Sequence, residues 1–194
     1  QLDQSSSILP SRQTMPSSGY AFDVTNLGTE RSAQILRSAN KQVGMTAVSL
    51  YFIGCMMRAL ERVGCEDLGD AYCVPYAMNL RRRKVLFPVF GNQVSFLFAQ
   101  APRSLVADRA GLFKHLREQS MLAVRRGLDR AMLPLMQAGR WLSLGKMGQI
   151  VRYSAQGRER ASFWFSYTGE MDPPVAEIGG CKVKSVYPFS PVTA

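Results

Sequence analysis

From Thr46 to Val63 the chain carries apolar side chains on nearly every side of a helical projection: Val48, Leu50, Tyr51, Phe52, Ile53, Met56, Met57, Leu60 and Val63. A helix of this kind cannot lie on a surface, because water would meet apolar groups whichever way it turned. It predicts a central, buried helix, with Thr46 as its cap. Its methionines and aromatics are packing residues rather than a cofactor box. Other elements must therefore cover it. With 194 residues the chain forms one domain or one lobe of a larger protein.

The pattern around this helix alternates between strand and helix signals. Tyr20 to Val24 alternates apolar and polar, as a strand does. Thr29 and Glu30 open an amphipathic helix through Ala33, Leu36, Ala39 and Val43, which stops at Gly44. Ala71 to Leu80 reads as a buried strand, and Phe87 to Phe98 as a second, interrupted by a turn or bulge at Gly91 and Asn92. Residues 105–138 hold the longest helical pattern, which Pro134 should kink or split. A short helical segment follows at Lys146 to Arg152, then an aromatic strand at Ala161 to Tyr167 and a last strand at Cys181 to Tyr187. The order β-α-α-β-β-α-β-β predicts an α/β fold, with helices layered on a mixed sheet. Residues 1–18, rich in Ser, Gln and Pro, read as a flexible linker, and 19–194 as the folded unit.

Charge and cysteines narrow the function classes. The net charge of +10 favours anionic partners such as acidic lipid, nucleic acid or phosphorylated molecules. Nucleic acid is disfavoured, since its readers interleave aromatics with the cations and here the aromatics alternate within apolar strands. Cys55, Cys65, Cys73 and Cys181 form no C-x-x-C pair and His115 is the single histidine, so no zinc ligand set is expected. The expectation is reduced thiols in a cytoplasmic protein, with anionic membrane as a peripheral partner. No apolar run reaches the roughly 20 residues of a membrane-spanning helix.

No self-contained active site is visible. The motifs G-x-S-x-G, G-x-x-x-x-G-K-[ST] and G-x-G-x-x-G do not occur, and His115 has no serine–carboxylate company. The run Arg81-Arg82-Arg83-Lys84 reads first as a solvated face and second as a contact for phosphates.

Three ordered segments carry more information. They are Gly44-Met45-Thr46 opening the buried helix; Val74-Pro75-Tyr76-Ala77-Met78-Asn79-Leu80-Arg81 followed by Phe90-Gly91-Asn92-Gln93-Val94; and Ser162 to Ser166, then Gly169, then Ile178-Gly179-Gly180-Cys181-Lys182-Val183. This succession resembles the carboxy-terminal lobe of the CoA-dependent acyltransferase superfamily, the chloramphenicol acetyltransferase and condensation-domain fold. It is most similar to the wax ester synthase and diacylglycerol acyltransferase type, over residues 20–191. Val48 and Ser49 stand where that type carries an Asn-Asp pair, and Ser166 to Glu170 keeps only the glycine of its Asn-Val-Pro-Gly-Pro.

The resemblance implies a two-layer sandwich forming one wall of a channel. In that channel an acyl thioester, on CoA or a carrier protein, passes its acyl group to a hydroxyl or amine. It further implies that the proton-accepting histidine, in H-H-x-x-x-D, comes from an amino-terminal lobe outside this chain; a neutral imidazole suits that task near pH 7. No residue here is assigned a catalytic role and no bound cofactor is expected beyond the thioester substrate. Asn79, Arg81, Gly91, Asn92, Ser166 and Gly169 fall at the matching positions and are the expected channel residues. The alternative is a non-catalytic binding module of the same fold, or a basic adaptor for anionic lipid or RNA.

Overall fold

A computed structural model describes residues 24–63, 70–80, 94–146, 148–149, 161–167 and 177–183. The expected linker, the strand before Val24, the basic run 81–84, the Gly91-Asn92 turn, Gly169 and the chain after Val183 lie outside the described residues. What is described mixes helix and strand. In chain order the elements are α1 (Gly28–Val43), α2 (Val48–Val63), β1 (Ala71–Asn79), β2 (Val94–Pro102), α3 (Arg109–Arg125), α4 (Met132–Gly139), β3 (Glu177–Ile178) and β4 (Cys181–Lys182). No described helix is long and apolar enough to cross a membrane by itself.

β1 and β2 pair antiparallel from Ala71 opposite Pro102 to Asn79 opposite Val94. Residues 161–167 lie along the other side of β1, joined by a parallel bridge between Tyr76 and Phe165. Among the described residues β1 is thus the middle strand and β2 an edge; Tyr72 to Tyr76 are buried at successive positions, while β2 alternates buried and open.

Pro75 sits in the middle of this central strand, where its missing N–H removes a ladder bond. The neighbouring segment adjusts. Ser162 N donates to Cys73 O (2.7 Å) and Phe165 N to Pro75 O (3.1 Å). Three residue steps on one side therefore match two on the other, which is a bulge opposite the proline. The Cys73 N–H, displaced from a regular carbonyl partner, donates to Ser162 Oγ at 3.1 Å.

The core lies between the sheet and the helices. Tyr72, Val74, Tyr76, Leu97, Ala99 and Ala101 from the sheet meet Leu50, Ile53 and Met57 of α2 and Leu112 and Leu116 of α3. α2 is the central helix the sequence predicts, although Met56 and Val63 remain exposed. It packs against α3 at Gly54, where a Cβ would come within 2.5 Å of the Phe113 ring. That ring is stacked on Tyr51, centroids 5.2 Å apart, in a smaller cluster with Ala39 and Val43 of α1.

Polar ties fix the connections. Arg58 of α2 donates to the carbonyls of Val106 and Ala107 (2.6 and 2.8 Å), holding the turn that leads into α3. Glu61, near the end of α2, accepts from Tyr72 Oη (2.9 Å) and pairs with Arg103 (2.8 Å), anchoring the start of β1 beside the end of β2. Asp108 caps α3 by accepting from Gly111 N at 3.1 Å.

The long helical pattern breaks earlier than Pro134. α3 ends at Arg125; Gly127, at φ 70°, takes the left-handed conformation that closes the helix, and a 3₁₀ turn leads into α4. Pro134 falls in the first turn of α4, where no intrahelical donor is lost. The last described feature is a two-residue hairpin: Gly179 and Gly180, both at positive φ (58° and 82°), join Ile178 to Cys181.

Ser95 starts the buried face of β2, and its hydroxyl is fully buried with no hydrogen-bond partner among the described residues. Leaving such a group unpaired costs about 1–3 kcal/mol. Ser95→Ala is therefore expected to raise the melting temperature, by about 2–4 °C for each kcal/mol recovered. A lower melting temperature would show that the hydroxyl is satisfied.

Candidate functional site

A strand turns alternate side chains to opposite faces. Tyr72, Val74, Tyr76 and Met78 of β1 point to the helices, so Cys73, Pro75, Ala77 and Asn79 point to the far face. Their cross-strand partners are Gln100, Phe98, Phe96 and Val94. In the segment bridged to β1, Phe163 and Phe165 pack on the core, which leaves Trp164 and Ser166 on the far face.

That face is apolar and graded in exposure. Cys73 and Pro75 are buried and Phe96 is half-buried, while Val94, Phe98 and Trp164 keep 36%, 44% and 72% of their surface accessible. Phe96 and Trp164 meet edge to face, centroids 5.9 Å apart. Two polar residues stand at its rim, Asn79 at the end of β1 and Ser166 just after the bridge, both exposed. Carrying the bridge register forward puts Ser166 beside Ala77. Asn79 is then one same-face position further on, roughly 8 Å away by strand spacing and rise.

Of the six expected channel residues, Asn79 and Ser166 are thus brought to one face. Arg81, Gly91, Asn92 and Gly169 lie outside the described residues. Alternation of aromatics within apolar strands predicts core positions, which suits Phe163 and Phe165, whereas Phe98 and Trp164 are exposed and form a surface that this pattern does not reveal. The available signal was that Val94-Ser95-Phe96-Leu97-Phe98 is apolar on its outward-facing positions, where a solvated face would carry polar residues.

The reactive side chains near this face are not primed for covalent chemistry. Burial pushes the Cys73 thiol up, opposed by a contact from Gln100 Nε2 to its sulfur at 3.6 Å. A thiol shifted that way stays protonated at neutral pH and is a poor nucleophile. Burial pushes up Cys55 on α2 as well. His115 is occupied elsewhere. Its Nε2 lies 3.0 Å from Gln100 O, and because a carbonyl can only accept, that nitrogen carries the proton. One turn along α3, Gln119 Oε1 accepts from Gln100 N at 2.8 Å. The two side chains close the outer edge of β2 at Gln100, which gives His115 a structural task. Among the described residues no group of His, Cys, Asp and Glu could hold a metal ion.

Burial also raises Tyr76, opposed by its hydrogen bond to Ser120 (3.0 Å). Tyr76 and Cys73 keep their protons to higher pH folded than unfolded. Their contribution to stability is complete below the ordinary values, 10.0 for Tyr76 and 9.0 for Cys73, and is lost as pH climbs through the raised folded values. The melting temperature is therefore expected to hold to about pH 8 and to fall increasingly above about pH 9, less steeply in Tyr76→Phe. An identical alkaline decline in that variant would remove Tyr76 from the account.

Set beside models of known families, curated proteins and solved structures, the chain matches none of them.

Proposed function

We propose that this chain is the wall-forming lobe of an acyltransferase, a two-layer sandwich whose far sheet face lines the channel for an acyl thioester. The observation that carries the reading is the convergence on one face of Asn79, Ser166 and the exposed aromatics Phe98 and Trp164. A long acyl chain gains by leaving water against such a surface, at about 25 cal/mol for each Å² of apolar area buried. The polar rim can position the thioester end. The proton acceptor is then supplied by an amino-terminal lobe, since Cys73 is protonated and His115 is engaged with Gln100. The basic run Arg81 to Lys84, next along the chain from β1, supplies positive charge for the donor's phosphates.

A titration tests the first half of this reading. In a Trp141→Phe background, Trp164 fluorescence is followed as palmitoyl-CoA or free CoA is added to the full chain. Saturable quenching or a blue shift is expected with palmitoyl-CoA, weakened about tenfold or more in Phe96→Ala/Phe98→Ser, where apolar contact is removed. No response, or one equal with free CoA, overturns the acyl wall. The second half is tested in the full-length protein, which is expected to carry H-H-x-x-x-D ahead of this lobe and to lose turnover when the second histidine becomes alanine. A binder with no such motif and no turnover is the non-catalytic module of the same fold.

A further inference from the structure

We propose that the cleft between α1 and the first half of α3 is a binding site for a phosphate-bearing anion. It is formed by none of the residues of the far sheet face and does not depend on the acyltransferase reading. The cleft has a volume of about 460 Å³ and is lined by Gln42 from the last turn of α1 and by Arg109, Ala110, Phe113, Lys114 and Arg117 of α3. Three of these are cations and none is a carboxylate.

Their convergence follows from helix geometry. Residues 109, 113 and 117 repeat at intervals of four and 110, 114 and 117 at intervals of four and three, so the two rows form adjacent ridges on one side of α3. Glu118 follows Arg117 and stands four residues on from Lys114, so the charge beside the three cations is not all of one sign. No described carboxylate forms an ion pair with them; the described ion pair is Glu61 with Arg103. Asp108, next to Arg109 in sequence, is spent on capping Gly111.

The arrangement also works against the helix. Arg109 occupies the first position of α3, where the positive end of the dipole disfavours a cation. Lys114 and Arg117, three residues apart, repel each other. An anion seated among them reverses both penalties. Arg109 has limited freedom to move away: its guanidinium stands 6.0 Å from the centre of the Phe113 ring, which is itself stacked on Tyr51.

The donor set selects the ligand class. The residues that line it carry two guanidinium groups, an ammonium and the Gln42 amide. A phosphomonoester or diphosphate offers several acceptor oxygens and two or more negative charges, and arginine forks match it. A single carboxylate would leave most of those donors and charges unanswered. A soluble phosphorylated compound and a lipid headgroup share this chemistry.

The full chain separates the two. Pyrophosphate is titrated by calorimetry at low salt, where surface charges are least screened, and co-sedimentation is measured with phosphatidylcholine vesicles with and without phosphatidic acid. The cleft variant Arg109→Gln/Lys114→Gln/Arg117→Gln is compared with Arg31→Gln/Arg62→Gln/Arg125→Gln, which removes the same charge outside the cleft. A loss of about tenfold in the cleft variant, against twofold or less in the other, is expected for one probe. Selective loss with pyrophosphate supports a soluble phosphate; selective loss confined to phosphatidic acid vesicles supports a headgroup. Equal weakening of both variants makes binding a property of the overall charge and overturns the site. So does the absence of saturable binding to either probe. Should the cleft variant melt early, the single changes Lys114→Gln and Arg117→Gln, both at exposed positions, carry the same comparison.

Discussion

Gly54→Val is expected to destabilise the protein by about 3 kcal/mol, at the upper end of overpacking costs in a filled core. The cause is local and steric. A Cβ at this position would sit 2.5 Å from Cε1 of Phe113 and 3.1 Å from its Cδ1. Phe113 cannot swing aside cheaply, because Tyr51 stacks on it within the cluster that ties α1 to α2. Valine adds two further methyl groups to that clash. Gly54→Ala should cost less, since alanine recovers about 1 kcal/mol of helix propensity. Urea unfolding measures both: the midpoint should fall with an unchanged slope, further for valine than for alanine. A valine variant as stable as the parent would mean that α2 and α3 do not cross at this glycine.

Ser162→Ala is expected to cost about 1–3 kcal/mol, a large effect for the loss of one oxygen atom. The hydroxyl is the acceptor for the Cys73 N–H, and both residues are buried. Without it, that donor is stranded in the middle strand, in the bulge that Pro75 imposes. Restoring a regular ladder by shifting residues 161–167 one step would turn Phe163 and Phe165 away from the core, so the sheet cannot relax that way. Ser162→Thr keeps an oxygen at the same place and should restore most of the loss. If alanine were neutral, Cys73 would have to find another acceptor.

The parts of the fold that were legible in the sequence are those in which a local pattern and the tertiary environment agree. α2 was readable because nearly every side of it is apolar, and α1 because Gly44 ends a clear amphipathic run. β1 was readable as a buried run because Tyr72 to Tyr76 are buried at every successive position. The helix break was misplaced because a proline is a stronger signal than a glycine when each is read alone. Position decides: Pro134 falls in a first turn, which tolerates it, and Gly127 supplies the left-handed residue that a helix end requires. Residues 161–167 were expected as a full strand but make a single bridge, because Pro75 cannot donate and the bulge interrupts the ladder.

The candidate sites were less legible. Asn79 and Ser166 come to one face only through a parallel pairing of residues almost ninety positions apart, and nothing local encodes it. The basic cleft was hidden for a related reason. Lys114 and Arg117 lie on the polar side of the long helical pattern, and only α1, by supplying Gln42 as the opposing wall, makes a cleft of that side.

The clasp of His115 and Gln119 on Gln100 has a consequence for how copies of this protein meet. A bare outer strand is an invitation to any passing chain to add itself to the sheet and begin a fibre. Here the rung at Gln100 is already taken by the protein's own helix, at both its donor and its acceptor. A stranger arriving there would have to evict two side chains for the same two bonds, with nothing gained. The lone histidine thus keeps one rung of that strand closed to another chain.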